Sequence, residues 1–307
     1  MVKTARLFFA ASLSIGCLAA ARIPQFFVDS VVALGRFEPN RGPGQPSEWV
    51  TEASGFLYGY PADNETDPAK HRYHVYLVAN RHVLANHSQI LVRMNAEKAT
   101  DLVREFTLAL KDNAGADLWV SHPSPSTDVS VIGINAQFLH ENGLQSAFFA
   151  GDKHTADKAK MKNIGLSIGD EVFVLGFPMG LSGTAQRNFV IARRGSIARL
   201  SDVFESAATT FLIDSLVFPG NSGGPVVSVP DLNSIEGTKS QNAAYLIGVV
   251  RGYLPYTDVA VSQQTGQLRM ITQENSGLAE IIPVDYIDET IRAAMAAEAK
   301  RQTPPKQ

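Results

Sequence analysis

Between residues 25 and 283 the chain is written in short runs of β-branched, aromatic and aliphatic residues separated by Gly, Pro, Asn and Asp. Runs such as Tyr76-Leu77-Val78-Ala79, Val129-Ser130-Val131-Ile132 and Val172-Phe173-Val174-Leu175 are too short for buried helices and carry side chains that pack well on a pleated surface. Many short strands with turn signals between them point to an all-β sandwich or barrel. With 45% hydrophobic residues the chain can bury such a core.

The expected strands fall at 27–34, 54–60, 73–84, 89–94, 118–120 and 128–134 in a first half. A second half has them at 171–176, 187–191, 195–200, 209–217 and 245–253. Residues 36–48, with three prolines, and 230–242 are expected as loops. The apolar pattern lapses at 152–163, which reads as a solvated connector, and again at 254–277, a long polar excursion. One helix is expected at 284–301, where Pro283 and Asp285 suit its start and Ile287, Ile291 and Met295 recur every four residues.

The first 21 residues read differently. Lys3 and Arg6 precede an uncharged apolar stretch that ends in Ala19-Ala20-Ala21, the pattern of a secretory signal peptide. The stretch falls short of the about 20 apolar residues of a membrane span. The one cysteine, Cys17, lies inside it, in a weak match to a lipoprotein cleavage site. An exported protein, periplasmic or extracellular, is the expectation. Its mature form would have no disulfide and would depend on core burial. The net charge of −3 and the lack of a basic excess give no reason to expect nucleic acid as a partner.

Chemistry concentrates in Phe218-Pro219-Gly220-Asn221-Ser222-Gly223-Gly224-Pro225. Glycines there permit backbone conformations closed to other residues, and they let another molecule approach the main chain. The N–H groups of Gly220 and Ser222 could converge beside the hydroxyl as an oxyanion hole. The bland reading is a hairpin whose serine caps a turn. The same letters fit the Gly-x-Ser-x-Gly elbow of α/β-hydrolases, but that order needs a histidine after the serine. The last histidine in this chain is His154.

A serine nucleophile needs an adjacent base and an orienting group, and here both must lie upstream. Of the seven histidines, His82 closes an apolar strand, whereas His71, His74, His87, His122, His140 and His154 sit in polar surroundings. Asp128 opens a strand of alternating apolar and small residues and suits the acid. The order His82, Asp128, Ser222 is that of chymotrypsin-type enzymes and not of subtilisins. No His-Glu-x-x-His or Cys cluster is present, so neither a metal nor another cofactor is expected.

With these residues the chain resembles the trypsin-like serine proteases, most closely the bacterial HtrA/DegP-like branch. The resemblance rests on Leu77-Val78-Ala79-Asn80-Arg81-His82-Val83, Thr127-Asp128-Val129, the run from Ile168 to Gly180, Gly220-Asn221-Ser222-Gly223-Gly224-Pro225 and Ile281-Ile282-Pro283-Val284. It implies two six-stranded antiparallel β-barrels, at 22–150 and 165–283, joined by the connector 151–164 and followed by the helix and tail 284–307. The triad would lie in the cleft between them. An exported serine endopeptidase acting on protein or peptide substrates is the implied function. A catalytically silent binding or chaperone module and an esterase are the alternatives.

Departures from the family also bear on function. Asn221 stands where secreted animal trypsins have the Asp that pairs with a newly cut N-terminus, so that activation route is not expected. The stretch after Pro283 is far too short for the PDZ domain of HtrA proteins. In trypsin an Asp six residues before the nucleophile binds Lys or Arg; here Leu216 stands there, beside Val217. Val250, Arg251 and Gly252 are expected as the other wall of the substrate pocket. Small or medium aliphatic residues are expected before the scissile bond, with acidic ones instead if Arg251 turns inward.

Overall fold

A computed structural model describes residues 23–38, 48–62, 71–231 and 236–302. The proposed signal peptide and Cys17 lie outside these residues, as do parts of the two expected loops. Eight strands form the first half: β1 (Val31–Glu38), β2 (Glu48–Pro61), β3 (Tyr73–Ala79), β4 (Gln89–Met94), β5 (Arg104–Ala109), β6 (Val120–Ser121), β7 (Ser130–Gly133) and β8 (Phe149–Ala150). They pair in the order β5-β4-β1-β2-β3-β7-β6, with β8 alongside β2. The sheet curls until its two edges approach, where Lys111 bridges to Asp117 and Leu118 N–H donates to Leu110 O at 2.9 Å.

The second half is a closed barrel of β9 (Glu171–Gly176), β10 (Ile191–Arg199), β11 (Phe211–Asp214), β12 (Pro225–Ser228), β13 (Leu246–Val261) and β14 (Leu268–Pro283). Its circular order is β10-β11-β14-β13-β12-β9. Mostly β, with a closed six-stranded barrel, a curled half-barrel and a C-terminal helix, the architecture is the trypsin-like one expected. The expected first barrel is the part that differs in detail, being a curled sheet of eight strands.

Several boundaries shifted for physical reasons. Residues 25–29 form a helical turn before β1, so the first strand starts at Val31. The connector carries a helix, Lys158–Ile164, capped by Asp157 and ended by Gly165 in the left-handed region. Its Met161 is fully buried, so the polar composition describes one face only. Residues 254–277 are a β-ribbon, the outward continuation of β13 and β14, pairing from Pro255↔Asn275 to Val261↔Leu268. Lacking a core beneath it, this ribbon has no need of a one-sided apolar pattern, the signal by which strands are read. The expected strand 195–200 falls, but for Leu200, within β10, which starts at Ile191, whereas residues 187–190 of the expected strand 187–191 lie outside it, with only Asn188 making an isolated bridge to Gly183.

The C-terminal helix, Asp285–Gln302, lays Ile287 and Ile291 into the core, both fully buried. Met295 is 36% exposed, because a strict period of four drifts around a helix of 3.6 residues per turn. One apolar cluster joins the whole molecule. Phe56, Tyr58 and Val78 of the first sheet meet Leu175, Phe177 and Val249 of the barrel and both helix isoleucines. That shared core fixes the sheet against the barrel.

Candidate active site

β3 ends at Ala79, and the chain leaves it through Asn80 into one helical turn, Arg81–Leu84. His82 therefore stands on a helical turn just beyond the strand, not at its end as the sequence suggests. Asn80 is fully buried, and its Nδ2 donates to the Asp128 carbonyl at 2.7 Å. That bond ties the end of β3 to the residues just before β7. His82 N–H donates to Asp128 Oδ1 at 3.1 Å, and the His82 ring Nδ1 lies 2.6 Å from Asp128 Oδ2. A carboxylate accepting at Oδ2 keeps the proton of a neutral imidazole on Nδ1, which leaves Nε2 free to accept. The acid is sheltered, with its side chain 17% exposed, while the imidazole is 53% exposed.

Ser222 sits in a turn whose main chain is tied down almost everywhere except beside it. Asn221 N–H donates to Phe218 O at 2.9 Å, and Asn221 Oδ1 accepts from Phe218 N–H at 3.0 Å. Gly223 N–H donates to Val250 O at 3.0 Å, and Gly224 N–H to Asn221 O at 2.8 Å. Met179 N–H donates to Pro219 O at 2.7 Å. All peptide bonds described are trans, so each N–H points opposite to the carbonyl of its own peptide unit. Anchoring Pro219 O thus aims Gly220 N–H the other way, and anchoring Asn221 O does the same for Ser222 N–H. Among the described residues neither N–H has an internal partner.

This path requires glycine. Gly220 (φ +98°) and Gly223 (φ +80°) are left-handed, and a Cβ on them would stand 2.2 Å from Phe177 O and 2.3 Å from Ser54 O. Ser54 of β2 is the strut from the first sheet: its N–H donates to Ser222 O at 2.9 Å and its Oγ to Gly220 O at 2.7 Å. The same Oγ accepts from Phe177 N–H at 3.0 Å. The sequence reading missed Ser54; its only signal is a small pair, Ser54-Gly55, inside an otherwise bulky strand.

His82, Gly220 and Ser222 line one cavity of about 340 Å³. Of the expected substrate-binding residues, Val217, Val250 and Gly252 share that lining, joined by Glu52, Phe218 and Tyr253. Leu216 lies outside it, 46% exposed. Arg251 also lies outside, held by Glu280 of β14 at 3.3 Å. Glu52, the one carboxylate in the lining, pairs with Arg36. A larger groove of about 740 Å³, between the first sheet and the end of the C-terminal helix, has no serine, threonine or cysteine in its lining. A third cavity, of about 550 Å³, has Ser182 and Thr184 in its lining but no histidine, so of these three only the smallest brings a serine and a histidine together. Among the described residues no cluster of three or more His, Cys, Asp or Glu could hold a metal ion.

A closed six-stranded barrel packed on a curled sheet, with a histidine–carboxylate pair and a glycine-held serine where they meet, defines the trypsin-like class of fold. The chain belongs to the trypsin-like peptidase domain family, whose model matches residues 32–232, well over half of the sequence. No curated protein matches the chain significantly. Family membership makes it a peptidase, with proteins as its substrates. Among the described residues no helix is long and apolar enough to cross a membrane.

Proposed function

We propose that the protein is an exported serine endopeptidase that works through His82, Asp128 and Ser222. The observation that carries this reading is the 2.6 Å His82–Asp128 contact opening on a cavity that also contains Ser222 and two unpartnered N–H groups. Ser222 Oγ attacks the scissile carbonyl carbon while its proton passes to His82 Nε2. Asp128 holds the imidazole by Nδ1–H and stabilises its cation. The oxygen of the tetrahedral intermediate takes the N–H groups of Gly220 and Ser222. Collapse expels the amine, which receives the proton from His82. Water then hydrolyses the acyl-enzyme by the same route in reverse.

Other features support the finer points. The basic start and apolar stretch of residues 1–21 support export. The motifs from Ile168 to Gly180 and at Ile281-Ile282-Pro283-Val284 support a position near the HtrA/DegP-like branch. Ser222→Ala is expected to fold normally and to lower peptide hydrolysis at least about 10⁴-fold, because the nucleophile and its base act as a unit. A fluorophosphonate should label wild type at Ser222 and leave the variant unlabelled. Turnover retained in Ser222→Ala would overturn the mechanism, and a wild type that neither cleaves nor labels would mark a silent binding module.

The cavity wall at Val217 is apolar, its one carboxylate is already paired, and Arg251 is held by Glu280. A buried Lys or Arg head would be left without a partner there, at a cost of several kcal/mol, on the order of the penalties for unpaired buried charge. Cleavage of a peptide library should therefore occur after Val, Ala or Leu. A profile dominated by Lys and Arg would refute this.

A further inference from the structure

We infer that Arg81 is a positioning residue for the active site, holding the loop that carries Asp128 in register with His82. The inference rests on the proposed triad and goes beyond it to a residue with no direct role in the chemistry. β6 and β7 pair through Val120↔Val131 and Ser121↔Ser130, so residues 122–129 form the loop of a hairpin, and Asp128 lies near its far end. Hairpin loops of this length have no single preferred backbone path, and their inward carbonyls need partners.

One guanidinium supplies most of them. Arg81 Nε donates to Ser121 Oγ at 2.9 Å. Its Nη1 donates to Pro125 O at 2.9 Å, and its Nη2 to His122 O and Ser124 O at 2.8 and 3.1 Å. Four contacts thus radiate from a rigid planar group, one to the end of β6 and three into the loop, and five donors in a fixed fork are what that pattern demands. Arg81 is also the residue before His82 on the same helical turn. Its backbone and its guanidinium thus fix base and acid to one rigid unit. Asn80 adds a single bond to the Asp128 carbonyl, and His122 adds its N–H to Val129 O at 2.9 Å and its ring Nε2 contact with Glu289 at 3.0 Å, but no other side chain makes as many contacts with this segment as Arg81.

A misplaced orienting group costs rate and leaves substrate binding largely alone. Arg81→Ala is expected to lower kcat by about 10²-fold, the scale for a misplacement of about 1 Å, with KM changed less than about twofold. The rate of fluorophosphonate labelling at Ser222 should fall by the same factor. In an Asp128→Ala background, where no carboxylate is left to position, Arg81→Ala should change the labelling rate by less than about threefold. That non-additivity is the signature of two residues acting as one. Should Arg81→Ala fold poorly, Arg81→Lys, which keeps the charge and loses the fork, is taken through the same cycle and should lose most of the same rate. Equal losses in both backgrounds would overturn the inference, as would an unchanged kcat in Arg81→Ala. Full activity in Asp128→Ala would instead sink the triad reading beneath it.

Discussion

Backbone geometry at single positions sets the chemistry this site can perform. Gly223 is the clearest case: its φ of +80° is unfavourable for any side chain, and a Cβ would sit 2.3 Å from Ser54 O. Gly223→Ala must therefore either bend the serine turn or push β2 away from it. The expected cost is at least about 2 kcal/mol from strain and overpacking together. Urea unfolding should report it, with fluorophosphonate labelling lost even where the variant is folded. A variant of wild-type stability and labelling would contradict the close approach of β2 to the turn.

At the scale of elements, the C-terminal helix is docked through carboxylates that are costly to bury. Asp288 accepts from the Tyr58 hydroxyl at 2.7 Å. Burial pushes its carboxyl above the usual range, although the Tyr58 bond and Arg292 pull the other way. Burial likewise raises Asp285, whose carboxylate accepts from Lys158 N–H at 3.0 Å. A carboxyl raised on folding contributes stability that is complete below its unfolded value and is lost as pH rises through its folded value. Neutral pH is therefore where the charged Asp288 weighs against the fold. Asp288→Asn keeps an oxygen for Tyr58 and removes that charge. It should raise the urea midpoint at pH 7, and the gain should disappear as pH falls into the ordinary carboxylate range. A gain that persists at low pH would mean that charge burial is not the cause.

Because sheet, barrel and helix share a core, the whole molecule should unfold as one cooperative body. Ile291 is fully buried in that shared cluster, so Ile291→Ala should cost about 2–5 kcal/mol. Trp49 and Trp119 both lie in the first half, whereas Ser222 lies in the second. Tryptophan fluorescence and Ser222 labelling should therefore lose their native signals at the same denaturant concentration, in wild type and in Ile291→Ala. Two separated transitions would show that the halves unfold independently.

What the sequence determined by itself was whatever is local and periodic. Alternation and β-branching marked most of the strands. The four-residue spacing of Ile287 and Ile291 marked the helix, and the glycines around Ser222 marked a turn that only they can form. The order of His82, Asp128 and Ser222 was also legible, since chain order needs no coordinates. The tertiary structure alone decided what depends on contacts between distant segments. Ser54 holds the serine turn from 166 residues away, and a lone serine in a strand carries no mark of that partner. Arg251 is turned aside by Glu280 and Leu216 stays outside the cavity, because a side chain's direction is set by its neighbours. The 254–277 segment reads as a polar excursion and not as strands for the complementary reason. Its strands are defined by pairing with each other, and with no core beneath them the sequence has no buried face to record.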